Sequence, residues 1–357
     1  MVLAAKKSKK IGPLAELAAK LERRDGPVRL TGLRGASRAV VAAELIRAHE
    51  DRPALIMAPS SKQSDALADD LRSVLGREQC AKRLRTFPRH DTLPYDRFSP
   101  QPFLVTARME VLYRWWLDSA SGAAADQPAP IVVTDWTALA VRVPARELLE
   151  RHVQEVAVGQ TLDRDAWLKG LERAGYQRMP LVEERGEFAA RGGIVDFFSP
   201  HAAHPLRIEL SGDEVDSIRE FDAASQRSLS KLKKAVAVPA REVLVERDRV
   251  VECEAKIREL AETCGTEASE TTSLIDALLR GDLPAGVEAL APLLVPAVEG
   301  VLDYLPDDAL VILDDPDSGL DRLVRYDEEA RASHRAATEA GRLVGPPEPL
   351  LTAPEEI

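Results

Sequence analysis

Hydrophobic and polar positions along this chain follow two different rhythms, and the switch between them marks out its parts. From about residue 11 to 144, short apolar runs alternate with stretches of helical spacing, which is how an open α/β sheet reads. Val28-Arg29-Leu30 predicts a first strand, leading into Gly32-Leu33-Arg34-Gly35 and a helix over 39–46. Ala54-Leu55-Ile56-Met57-Ala58 predicts a buried strand closed by Pro59, and Ser60-Ser61-Lys62-Gln63 opens another helix. Ile131-Val132-Val133-Thr134-Asp135 has the same buried-strand character and ends on a Thr-Asp pair suited to capping the next helix.

Around Pro144 the style changes. Asp163 is an N-cap for a helix carrying Trp167, Leu168, Leu171 and Ala174 on one stripe, with Gly175 at its C′ position. Short strand-like runs come next at 188–190, 194–198 and 206–210, separated by turn chemistry such as Ser211-Gly212-Asp213. A small α+β domain with an antiparallel sheet is expected there. From Pro239 the chain reads as helical, over 250–260 and 274–279, before a last buried strand at 309–313; the stretch from Gly345-Pro346-Pro347 onward reads as a linker.

Composition sets the class. A length of 357 residues suggests two or three domains. With 45% hydrophobic and 30% charged residues, and no apolar run near the roughly 18 a membrane helix needs, the chain reads as a soluble globular protein. A net charge of −11, from 59 acidic against 48 basic residues, argues against a surface built to wrap nucleic-acid phosphates. Cys80, Cys253 and Cys264 lie far apart with no CxxC spacing, so neither a disulfide framework nor a zinc site is expected. The basic run Lys6-Lys7-Ser8-Lys9-Lys10 has no apolar signal core after it, which predicts a cytoplasmic chain with a solvated tail.

A strand, a glycine-rich turn and a helix form the context in which a P-loop cradles phosphates on backbone amides. The motif requires Gly-x-x-x-x-Gly-Lys-Ser/Thr, whereas this chain offers Gly32-Leu33-Arg34-Gly35-Ala36-Ser37-Arg38-Ala39. Ser37 stands in place of the second glycine, Arg38 in place of the lysine, and Ala39 in place of the hydroxyl that binds Mg²⁺. The late strand runs into Asp314-Asp315-Pro316-Asp317, where an NTPase carries its metal-binding acidic pair; Asp314 has the chemistry to bind a metal, and a sheet-edge turn of solvated carboxylates explains the same residues. The expectation is a RecA-like, P-loop NTPase-like parallel-sheet domain with a degenerate nucleotide site, no catalytic residue, no metal site and no cofactor of its own.

The segment 32–39, the segment from Phe87-Pro88 to Thr92-Leu93-Pro94-Tyr95-Asp96, and Gly186-Glu187-Phe188-Ala189-Ala190-Arg191-Gly192-Gly193-Ile194-Val195-Asp196-Phe197-Phe198 resemble the N-terminal, UvrB-homologous region of the bacterial transcription-repair coupling factors (Mfd). Arg207-Ile208-Glu209 with Gly212-Asp213-Glu214, 217–222 with Gln226-Arg227-Ser228, and 281–286 continue the resemblance, which covers roughly 11–345. It implies an α/β domain split into parts 1–145 and 239–345, an inserted domain at 146–238 that binds the repair protein UvrA, and a linker over 346–357. It also implies a longer protein, in which an ATP- and Mg-dependent DNA translocase, RNA-polymerase-interacting and C-terminal domains lie outside this chain and the C-terminal domain masks the UvrA-binding surface. UvrB itself, a nucleotide-dependent excision-repair helicase subunit, is the alternative. It keeps an intact P-loop and a tyrosine-rich hairpin, while here Pro94-Tyr95-Asp96-Arg97-Phe98-Ser99-Pro100 passes almost directly into a helix.

By the resemblance, Arg178 and Arg191 occupy the arginine positions of the UvrA-binding surface, a task suited to a planar fork that binds carboxylates with two hydrogen bonds. Phe188 and Phe198 are further candidate contacts. In a regular strand only one of Phe197 and Phe198 faces the core, which leaves the other as interface anchor or, if both are covered, as packing. Among the remaining candidates, His201 and His204 form an HxxH on a loop without other ligands, His90 adjoins Asp91 without a nucleophile, Trp115-Trp116 reads as core, and Arg97 and Arg108 are placed along the nucleotide crevice.

Overall fold

A strand that is apolar on both sides has to be covered on both sides, and the two clearest apolar runs of this chain are covered in that way. In the computed structural model, which describes residues 26–121 and 128–357, the chain runs through α1 (Ser37–Ala48), β1 (Ala54–Ala58), α2 (Ser61–Leu75), α3 (Arg77–Arg83), β2 (Leu84–Phe87), α4 (Pro102–Ser121), β3 (Ile131–Asp135), β4 (Val143–Pro144) and α5 (Arg146–His152). It continues through β5 (Gln154–Ala157), α6 (Arg164–Arg173), β6 (Gln177–Arg178), β7 (Glu187–Arg191), β8 (Ile194–Phe197), β9 (Leu206–Ser211), β10 (Glu214–Phe221), β11 (Ser228–Leu232) and β12 (Lys234–Ala237). The last part holds α7 (Arg247–Cys264), α8 (Ala268–Arg280), α9 (Ala291–Leu294), β13 (Val298–Glu299), β14 (Leu310–Leu313) and α10 (Pro316–Glu339). The basic run at 6–10 and the start of the α/β pattern at 11 lie outside the described residues.

A four-stranded parallel sheet in the order β14-β1-β3-β2 organises the α/β domain. Leu55, Met57 and Val132 face one core with Leu112, Trp115 and Tyr326, while Ala54, Ile56, Ile131 and Val133 face the other with Ala42, Ala43 and Leu71. Trp115 is fully buried beside Phe87, as the apolar stripe of its helix predicts. Because β14 pairs with β1, placing Leu310 opposite Ala54, the parts before and after the insertion form one sheet.

Three expectations are corrected. Residues 28–30 form no strand: Val28 and Leu30 are exposed, positive-φ glycines at 26 and 32 bracket the segment, and it makes no ladder with β14. Three alternating residues carry a strand pattern but bury nothing without a partner. β14 is consequently a sheet edge instead of a buried strand, with Val311 and Leu313 nearly half exposed. The tail beyond 345 is docked and is no linker, since Arg142 N donates to the Leu350 carbonyl at 2.9 Å, Thr352 N to the Ala140 carbonyl at 2.8 Å, and Leu350 and Leu351 are buried.

The inserted domain is a six-stranded sheet, β11-β10-β9-β8-β7-β6, antiparallel except between β6 and β7. β5 and β12 pair antiparallel, so the chain enters and leaves the insertion side by side. Leu148 and Leu149 of α5 pack in the α/β core, so the structural insertion starts at β5, a few residues later than 146. Helix α6, capped by the Asp163 carboxylate on Ala166 N, covers one sheet face and brings Trp167 and Leu171 onto Phe188, Phe197 and Ile208.

Candidate functional site

The second face of the six-stranded sheet carries no helix, and the alternation of side chains decides what it presents. Phe188, Val195, Phe197, Leu206, Ile208 and Ile218 point toward α6, which leaves Ala189, Arg191, Asp196, Arg207, Glu209, Arg219 and Phe221 for the opposite side. Register places Asp196 across from Arg207 and Arg207 across from Arg219. Asp196 is 1% exposed and accepts two bonds from Arg207, at 2.7 Å from Nε and 2.8 Å from Nη2. Those bonds raise the Arg207 guanidinium above its usual value, and its plane stacks 4.7 Å from the centre of the Phe221 ring. Glu209 accepts from Ser217 Oγ at 2.6 Å and from Arg219 at 3.0 Å, so the facing arginines are each balanced by a carboxylate.

Arg191 stands at the rim of this network. Its guanidinium lies 3.8 Å from Asp196, and its side chain is 60% exposed. Arg178 is also exposed, but register pairs it with Phe188, whose side chain points toward α6, so the two arginines leave the sheet on opposite sides. Phe188 is fully buried in the sheet–helix core and has no surface to offer a partner, which withdraws it as a contact residue. Phe198 is half-buried beside Val182, Ala189 and Phe221, with the Arg185 guanidinium 5.8 Å from its ring centre. Asp196, Arg207 and Arg219 are not among the contacts read from the sequence; each lies on a different strand, and only the strand register brings them together.

The glycine-rich turn is built differently. Gly32 and Gly35 both have positive φ, the Ser37 hydroxyl takes up the Arg34 backbone at 2.8 Å, and Ala39 is fully buried against the sheet. Arg38 reaches across to Asp314 and forms an ion pair with it at 2.5 Å, so the residues at the lysine and acidic positions neutralise each other. Burial pushes the Asp314 carboxyl up from its ordinary value, and Arg38 opposes that shift. Arg108 lies elsewhere. It is buried over the Phe87 ring, donates to the Pro88 and Ala138 carbonyls at 3.0 Å each and pairs with Glu242, so it does not line the crevice. Arg97 is exposed on the loop that Gly286 approaches.

One ionic link ties the inserted domain to the α/β domain, and a second ties the segment returning from the insertion to the first part of the α/β domain. Glu110 of α4 meets Arg85 and also Arg185 at 3.1 Å, the latter from the inserted domain. Glu242, on the returning segment, meets Arg108 and His90, the histidine at 3.2 Å; burial works to raise its carboxyl, and its contacts with Arg108 and His90 overcome this and bring it down to about 2. His201 contacts Ser199 at 2.9 Å and the Tyr113 ring, and burial lowers it to about 4, whereas His204 is exposed. Among the described residues no helix is long and apolar enough to cross a membrane.

These features define a class: an inserted, one-sided β-sheet domain on an interrupted α/β domain, and residues 155–243 match the UvrB interaction domain family. The whole chain is similar to the transcription-repair-coupling factor of Myxococcus xanthus, 36% identical over 92% of this chain and 27% of that protein. The corresponding protein of Mycobacterium tuberculosis is 33% identical over 82% of this chain and 23% of its own length, and that of Escherichia coli 28% over 93% and 27%. The chain corresponds to the N-terminal, UvrB-like region of the transcription-repair-coupling factors. It spans about a quarter of the length of the curated relatives it matches.

Proposed function

We propose that this chain is a recruitment module: the face of its inserted sheet opposite α6, at the exposed rim around Arg191, binds UvrA, and its α/β domain, RecA-like in descent, supports that surface without nucleotide chemistry. One observation carries the reading, namely a helix-free sheet face on which buried Asp196 holds Arg207 and leaves Arg191 exposed at the edge. An arginine whose surroundings are already ordered gives up less side-chain entropy when it binds a carboxylate, so an acidic patch on the partner is the fitting complement. In a longer coupling factor the remaining domains would supply the ATP-driven translocase, the contacts to DNA and to RNA polymerase, and the C-terminal domain that masks this face. The Arg38–Asp314 pair favours this over the UvrB-type enzyme, because it occupies with side chains the place where phosphate and Mg²⁺ would sit.

Calorimetric titration with UvrA tests the reading. Arg191→Ala should weaken binding by about 2 kcal/mol, the size expected for an anchoring arginine, and Phe198→Ala should weaken it further. Arg178→Ala reports whether the surface continues round the sheet edge. Unchanged affinity for Arg191→Ala with an intact fold would overturn the assignment, as would ATP turnover by this chain that is lost in Arg38→Ala.

A further inference from the structure

Away from both regions, the carboxyl ends of β1 and β3 open onto a cavity of about 390 Å³. In open α/β sheets this is where ligands settle, and the volume falls within the range of small-molecule sites. Lys62 from the first turn of α2, Arg89 from the segment after β2, and Arg322 and Arg325 from α10 all line it. None of the four forms an ion pair with a described residue; Arg325 donates only to the Asp321 carbonyl of its own helix, at 3.2 Å. Four cations gathered from three parts of the chain repel one another, and a bound anion relieves that repulsion.

The carboxylates present do not meet that need. Two carboxylates line the cavity, Glu329 and the buried Asp135, whose oxygens also accept from Ser61 Oγ at 3.1 Å and the Thr137 amide at 3.0 Å, so the four cations outnumber them two to one. Tyr326 also lines the cavity; the residue is 6% exposed, and its hydroxyl is not among the buried polar atoms left without a partner. Burial lifts this phenol to about 12, so it remains a donor.

We propose that this cavity binds a compact phosphate ester, a small molecule presenting one or two phosphate groups to the lysine, the three arginines and the Tyr326 hydroxyl. A nucleic-acid backbone fits less well, because the recess is concave, has carboxylates in its wall and belongs to a chain of net charge −11. The site is separate from the glycine-rich turn, whose Arg38 and Asp314 are not among its lining residues.

Titration of the chain with pyrophosphate, and separately with inorganic phosphate, at low salt and without Mg²⁺ tests the proposal. Saturable binding of one pyrophosphate per chain is expected, weakened at least tenfold in the double variant Arg322→Ala, Arg325→Ala and several-fold in Tyr326→Phe, but unchanged in Arg38→Ala. The two arginines are exposed, so their variant should melt as the wild type does. Absence of saturable binding of either anion, equal binding by the double variant, or loss of binding in Arg38→Ala would overturn the assignment. So would a short single-stranded oligonucleotide that binds more tightly than pyrophosphate and depends on the same two arginines.

Discussion

Asp196 shows how one residue sets the character of a surface. Its carboxylate is shut off from water, accepts both parallel bonds of Arg207 and lies within reach of Arg191. Removing one partner of such a pair strands the other charge, which makes truncation far more costly than the pair's net worth. Asp196→Ala is expected to lower unfolding free energy by about 3 kcal/mol, read from urea denaturation. It should also weaken the proposed UvrA binding by loosening Arg207. The two halves of the effect separate in Asp196→Asn, which preserves shape and one acceptor and should recover more stability than binding.

At the scale of elements, close approach matters more than propensity. Glycine inside a helix normally costs about 1 kcal/mol relative to alanine, so replacing it ordinarily stabilises. Gly319 in α10 is an exception, because a methyl group there would sit 2.2 Å from the indole of Trp136, on the turn that follows β3. Gly319→Ala should therefore destabilise the chain, by about 1–3 kcal/mol in thermal or urea melts, as an overpacked core does. The strand and helix elements themselves were mostly legible. Ser60 and Asp163 cap the helices their positions predict, and the mainly apolar runs at 54–58 and 131–135 are strands buried on both faces. Segment 28–30 and the tail beyond 345 depart from their local pattern because partners, absent from that pattern, decide whether a short run is paired or free.

For the molecule as a whole, Glu242 fastens the two separated parts of the α/β domain to each other just after the insertion. It returns from the insertion and is gripped by Arg108 and His90. Its carboxyl is depressed to about 2 in the folded chain against an ordinary value of 4.5, so the stability it contributes is fully present above about pH 4.5 and is lost as pH falls toward 2. Melting curves between those limits should fall more steeply for the wild type than for Glu242→Gln, which has already given up the ionic part. If the two slopes agree, the fastening does not act through this charge. The candidate interface was only half legible at this scale. The resemblance supplied Arg191, but the assignment of Phe188 to the core, and the separation of Arg178 from Arg191 across the sheet, needed the strand register.

The sequence by itself determined the two rhythms, the departure of residues 32–39 from the phosphate-loop pattern and the kinship with the coupling factors, because each of these is written in local spacing or in a specific motif. Only the tertiary structure decided which face of the inserted sheet α6 covers, that Arg38 and Asp314 meet, and that Lys62, Arg89, Arg322 and Arg325 converge on one cavity. Those facts depend on contacts between residues far apart along the chain, and periodicity carries no information about which distant faces come together.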